Sequence, residues 1–155
     1  MARLMIFLAF FCIFAQGAKT EPSGKLEISA KEFMADDAKK YSEFKGDVKL
    51  KRGEDSLNCN TLRIYLNEKR KPISYEAQGN VSFLIAIEQS KYEGQANTLI
   101  YDISSQIYEL KGDAQVKDLT RPKELNAQSI FMDKKKGSVY VKGGKAPIKL
   151  VIDLE

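Results

Sequence analysis

One short pattern recurs four times along this chain. It reads Phe44-Lys45-Gly46-Asp47-Val48-Lys49-Leu50, then Tyr75-Glu76-Ala77-Gln78-Gly79-Asn80-Val81, then Tyr108-Glu109-Leu110-Lys111-Gly112-Asp113-Ala114, then Tyr140-Val141-Lys142-Gly143-Gly144-Lys145-Ala146. Its glycines Gly46, Gly79, Gly112 and Gly144 are spaced 33, 33 and 32 residues apart. A fixed period in this range means stacked supersecondary units, each burying its apolar face against the next. A second pattern lies between the glycines: Cys59-Asn60-Thr61-Leu62-Arg63-Ile64-Tyr65, Ala96-Asn97-Thr98-Leu99-Ile100-Tyr101-Asp102 and Ala127-Gln128-Ser129-Ile130-Phe131-Met132-Asp133. Ala30 to Asp36 reads as a degraded first copy.

Each unit is therefore two strands. Leu62 to Leu66 and Val81 to Ile87 alternate with period two, and β-branched and aromatic residues dominate. Helical repeats of similar period need apolar residues at 3.6 spacing, which no turn-free segment supplies. Lys31 to Tyr41 is the one stretch where a short helix competes. Turn residues punctuate the runs at 51–55, 67–72, 104–106, 121–123 and 133–137. Glycine inside a strand marks a bulge, a bend or a close backbone approach. Four in register predict a sheet bent at the same place in every layer, curling into a spiral or an elongated jelly roll. The expected fold is all-β: an elongated, twisted jelly roll, a solenoid-like stack of antiparallel strands with open edges at both ends.

The 155 residues hold one such domain, expected over 26–155. Arg3, the 12-residue apolar run Leu4 to Ala15 and the small residues of Ala15-Gln16-Gly17 read as a signal peptide over 1–17, cleaved before Ala18. A spanning helix needs about 20 apolar residues, so an uncleaved anchor is the weaker reading. Phe10-Phe11 before Cys12 argues against a lipoprotein. Residues 18–25 read as a flexible leader, and export points to the periplasm. Beyond the leader only Cys59 remains, which excludes an internal disulfide. It shares the small-residue position of Ala96 and Ala127 and reads as a buried filler.

Catalysis fits poorly. The chain has no histidine, and it shows no nucleophile motif and no metal-ligand spacing, so no cofactor is expected. Asp36-Asp37 and Glu54-Asp55 fall in turn segments. A net charge of +4 is too mild to call for nucleic acid. The run Lys134-Lys135-Lys136 reads first as a solvated turn, with phosphate attraction as the alternative. What the pattern does offer is an apolar face along the whole stack. It carries Val48 and Leu50, Leu62 and Ile64, Val81 and Phe83, Leu99 and Tyr101, Leu110 and Val116, Ile130 and Met132, and finally Ile148. The opposite parity carries Arg63, Glu109, Lys111 and other charges. Such a stripe is in the first place a core. Running through four units in an exported protein, it also predicts a trough for lipid acyl chains, where each sheltered methylene contributes about 0.8 kcal/mol. The terminal strands, with Leu26 and Ile28 at one end and Ile148, Leu150 and Ile152 at the other, are the expected open edges for strand pairing with partners.

The order of Gly46-Asp47-Val48, Gly79-Asn80-Val81 and Gly112-Asp113-Ala114, interleaved with Ala96-Asn97-Thr98-Leu99-Ile100-Tyr101-Asp102, resembles the OstA-like, or LptA, family of lipopolysaccharide transport proteins. The resemblance covers roughly Leu26 to Leu154. Lys145 and Pro147 in the last copy depart from the pattern. The resemblance implies a periplasmic bridge passing lipopolysaccharide from inner to outer membrane, with acyl chains inside the fold. It also implies LptC-like and LptD-like partners joined by edge-strand pairing, and head-to-tail pairing of like domains. The short leader favours the soluble bridge over a membrane-anchored LptC-like component. A structural β-solenoid without lipid is the reading from another class.

Overall fold

A computed structural model describes residues 26–87, 89–121 and 123–152. The expected signal peptide (1–17) and leader (18–25) lie outside the described residues. The strands are β1 (Leu26–Ser29), β2 (Glu32–Asp36), β3 (Tyr41–Arg52), β4 (Asp55–Leu66), β5 (Pro72–Ile87), β6 (Ser90–Asp102), β7 (Ile107–Asp118), β8 (Lys123–Asp133), β9 (Ser138–Lys142) and β10 (Lys149–Ile152). They form one 10-stranded antiparallel sheet. The described residues contain no helix, and Lys31 to Tyr41 forms β2 and a turn.

β1 and β2 both pair with β3, at Ile28↔Leu50 and Phe33↔Phe44, so together they act as one bent strand. β9 and β10 flank β8 in the same way, at Ile130↔Val141 and Leu125↔Leu150. The bend runs across the whole sheet, and the repeated glycines make it. The register shifts between Lys45 and Val48, between Gln78 and Val81, and between Lys111 and Ala114. At each shift two residues oppose one, which is a β-bulge. Both residues of each bulge have positive φ: 85° and 46° at Gly46-Asp47, 81° and 47° at Gly79-Asn80, 80° and 47° at Gly112-Asp113. Glycine takes that conformation without a steric penalty, and Asp or Asn tolerates it best among the others. Across these shifts the opposing residues are the amides Asn60, Asn97 and Gln128 in turn, and Gly79 and Gly112 each also pack against the amide of the strand before them. A Cβ added at Gly79 would lie 2.5 Å from Asn60 Nδ2, and one at Gly112 would lie 2.5 Å from Asn97 Nδ2. Lys31 packs beneath Gly46 and Gln128 beneath Gly144 in the same sense, which makes Ala30 to Asp36 a true first copy.

The column of corners divides the sheet into two wings, one holding β1 and β10, the other β2 and β9. Register places four mainly apolar inward rows across them, and beyond these on the β1 wing a mixed row of Arg52, Asp55, Ile85, Tyr92, Asp118 and Lys123. On the β2 wing, nearest the corner, run Phe44, Leu62, Ala77, Leu99, Leu110, Ile130 and Val141. Farther out run Ser42, Ile64, Tyr75, Tyr101, Tyr108, Met132 and Val139. On the β1 wing the corner row holds Val48, Cys59, Val81, Ala96, Ala114 and Ala127. The outer row holds Ile28, Leu50, Leu57, Phe83, Gly94, Val116, Leu125 and Leu150. The wings fold over one another and share a single core cluster.

The turns that end the β2 wing are built alike. Asp36 accepts from Lys39 N at 3.0 Å, Asn67 from Lys69 N at 2.9 Å, Asp102 from Ser105 N at 2.9 Å and Asp133 from Lys136 N at 3.0 Å. These are Asx turns closing the second pattern in each copy. The outward face is polar, as in Gln95, whose amide donates to Gln115 Oε1 at 2.8 Å. Its tightest charged cluster is Glu43, only 3% exposed, which accepts from Arg63 and lies 3.2 Å from Lys45 Nζ. Arg63 in turn lies 5.2 Å from the centroid of the Tyr41 ring. Burial pushes the Glu43 carboxyl up, but the hydrogen bonds from Arg63 and Lys45 outweigh it and hold the carboxyl below its usual range.

Candidate functional site: an apolar trough between two wings

The two corner rows belong to one core cluster. Val48, Leu110 and Ile130 are 0% exposed, and Leu62 and Val81 are 1%. Here the inward stripe is simply core. Toward the open side the wings separate and leave two hollows. The first, about 140 Å³, lies between Leu50, Leu57 and Phe83 of the β1 wing and Ile64, Tyr75 and Tyr101 of the β2 wing. The second, about 320 Å³, lies between Tyr92, Val116 and Leu125 on one side and Met132 and Val139 on the other. Tyr75 and Tyr101 stack with centroids 5.7 Å apart, and Tyr101 and Tyr108 at 4.4 Å, which floors the first hollow with aromatic faces. Burial, reinforced by the neighbouring Tyr101, pushes the Tyr75 hydroxyl up and keeps it neutral. The lining is mainly apolar, with Arg52, Asp55 and Lys134 also lining the first hollow and Asp118, Lys123 and Asp133 the second.

Of the expected trough residues, Val48, Leu62, Ile64, Val81, Phe83, Leu99, Leu110, Val116, Ile130 and Met132 are buried, and Leu50 and Tyr101 pack partly buried against them. The structure corrects one. Ile148 is 49% exposed and belongs to no strand, because β10 starts only at Lys149. Residues 143–148 occupy the place of the final bulge, and Pro147 has no N–H for a ladder there. Tyr140 is also out of step. It faces outward against Phe131 at 5.9 Å, whereas Tyr75 and Tyr108 face inward. Ile28, expected only as an edge residue, lines the first hollow, and Leu150 lines the second. Ile152 is 45% exposed. The side chain of Leu26 lies outside the described residues.

Leu57, Tyr92 and Leu125 were not expected in the trough. Strict period-two counting from Leu62, Leu99 or Ile130 places them outside, but the bulge opposite Asn60, Asn97 and Gln128 reverses the parity of β4, β6 and β8. The small residues just before those amides, Cys59, Ala96 and Ala127, were the available signal: all three face inward.

Lys134 lines the first hollow, and Lys135 Nζ donates to the Ser104 carbonyl at 3.0 Å, tying neighbouring turns together. Among the described residues no three His, Cys, Asp or Glu side chains come close enough to hold a metal. The only free thiol among them, Cys59, is buried, and burial pushes it up to about 11.

The described strands make an open antiparallel β jelly roll with two hollows between its wings. A family model described as the LptA/(LptD N-terminal domain) LPS transport protein matches residues 27–138. The chain belongs to that family, which is a lipopolysaccharide transport family and not an enzyme family. Among solved structures it is similar to LptH, described as the LptA homologous periplasmic component of the lipopolysaccharide transport device of Pseudomonas aeruginosa. The TM-score is 0.71 at 16% identity, over 83% of this chain and 94% of that one, so the likeness is one of fold. No curated protein sequence matches.

Proposed function

We propose that this chain is a periplasmic lipopolysaccharide carrier that shelters acyl chains between its wings and hands them along a line of like domains. The observation that carries the reading is the pair of hollows between the wings, lined by Ile64, Tyr101, Val116 and Met132 and floored by Leu62, Leu99 and Ile130 of the corner row. Family membership supplies the cargo. A photocrosslinker at Ile64 or Leu99 is expected to label lipopolysaccharide, and one at Arg63 or Lys111 is not. Equal labelling from both faces, or none from inside, refutes a lipid-filled interior and favours a solenoid whose trough is packed by its own side chains.

Among the described strands, β1 and β2 pair only with β3, and β9 and β10 only with β8, which supports docking by strand addition to LptC-like and LptD-like proteins or to a second copy. Apolar side chains are exposed on both edges: Phe33 and Met34 on one, Val139, Leu150 and Ile152 on the other. Removing residues 146–155 is expected to abolish these complexes, and normal assembly without that segment refutes edge docking. Export through residues 1–17 predicts a mature chain beginning at Ala18; N-terminal sequencing that finds Met1 or Ala2 refutes cleavage.

A further inference from the structure

The outer row of the β1 wing is apolar at every position, but at Gly94 it has no side chain. Gly94 is absent from the positive-φ glycines, so its backbone conformation does not call for glycine. Space does. A Cβ at Gly94 would meet Cζ and Cε1 of the Phe83 ring, together with the Gln115 carbonyl oxygen. Phe83 and Gly94 are directly paired across β5 and β6, and the ring leans over to stand where a residue 94 side chain would be. Covering an inward glycine with a neighbouring aromatic is a known way to stabilise a sheet. Here it has a further effect.

On the β1 wing the first hollow ends at Phe83 and Ile85, and no residue of β6 on that wing lines it. The second begins with Tyr92 of β6 and Val116 of β7, and Phe83 does not line it. Val116 is the residue paired with Gly94 on its other side. The Phe83 ring therefore lies across the boundary between the two hollows. On the opposite wing the boundary falls between Tyr108, which lines the first, and Met132, which lines the second.

We propose that Phe83, seated on Gly94, is the partition that sets the length of apolar chain the first hollow accepts. This rests on the reading that the trough holds acyl chains. A chain entering the first hollow runs along its row until it meets the ring. A smaller residue at position 83 leaves the space over Gly94 vacant and joins the two hollows.

The test is a series of saturated fatty acids of increasing length, displacing an environment-sensitive fluorophore from the full-length exported protein. With the wild type, affinity is expected to rise about fourfold per methylene and then level off at the length that fills the first hollow. Phe83→Leu keeps an apolar side chain but cannot reach across Gly94. It is expected to move the break at least two methylenes outward, so that the longest chains bind on the order of tenfold tighter. Phe83→Ala moves it further, and Phe83→Leu carries the test should Phe83→Ala fold poorly. Ile64→Ala, inside the first hollow but off the boundary, weakens every chain and leaves the break in place. A wild-type series without a break, or a break at the same length in folded Phe83→Leu, overturns the partition while leaving lipid binding intact. Failure of every protein to bind any chain overturns the acyl-chain reading itself and the partition with it.

Discussion

Gly112→Ala tests the corner as a structural device. The glycine sits at φ 80°, where a side chain costs about 1–2 kcal/mol. The new Cβ would also lie 2.5 Å from Asn97 Nδ2 and 2.9 Å from Asn97 Cβ. The amide can swing away, but the Asn97 Cβ is fixed to the backbone, so relief requires the two strands to part. Overpacking of this kind costs about 1–3 kcal/mol, giving about 2–5 kcal/mol for the single change. Urea unfolding of the processed protein measures it. Asn97→Gly removes the collision and leaves only the conformational cost, so the double mutant is expected to recover about 1–3 kcal/mol of coupling. Gly144→Ala is the internal control. Gly144 lacks positive φ, and its new Cβ would meet Gln128 Cγ at 3.0 Å and Gln128 Cβ at 3.1 Å, a milder contact than at Gly112, so its cost is expected to stay at about 1 kcal/mol or less. Equal costs at the two glycines, or no coupling to Asn97, refute the claim that steric contact across the bulge holds the corner.

Glu43 has its folded-state carboxyl held below 4.5, the value taken for the free group, so it contributes stability that is present above the unfolded value and lost as pH falls through the folded one. Glu43→Gln is therefore expected to flatten the acid side of the stability–pH profile below about pH 4.5, and an unchanged profile in urea unfolding rules the pair out as a source of acid sensitivity. Cys59 is 4% exposed, with its thiol pushed up to about 11, so a thiol reagent at pH 8 is expected to label the processed protein only as fast as it unfolds. Immediate labelling of folded protein would place Cys59 at the surface.

The repeat made most of this fold legible. Period-two alternation identified the long strands, and four glycines in register identified the line of bending, because both are local properties of backbone and side-chain size. What alternation alone does not carry is the parity of a strand beyond a bulge in its partner. Leu57, Tyr92 and Leu125 therefore had to be found from pairing. The terminal copies were harder for a related reason. β1 and β2, like β9 and β10, are halves of bent strands held by one neighbour, so Ala30-Lys31 and residues 143–148 interrupt them where a central strand would run through. Ile148 looked like a trough residue because the count was carried across that interruption. The hollows were not legible, since they depend on how far the wings part beyond the corner rows. The socket at Gly94 also needed the pairing of Phe83 with it, which lies outside the repeated motif.

Stacked corners also decide how such a body changes its length. The bulges at Gly79 and Gly112 are completed by the amide of the strand before them, and that at Gly46 by Lys31, so the instructions for one layer are written in two consecutive copies of the repeat. Inserting or deleting a whole copy between Gly46 and Gly112 preserves every glycine–amide pairing and keeps the four inward rows aligned. Adding two residues to one strand slides that strand's glycine off its amide while leaving its alternation intact. Hydrophobic patterning alone would tolerate that slip; the corner does not. The molecule is thus a ruler graduated in repeats, free to grow by whole divisions and closed to fractions of one.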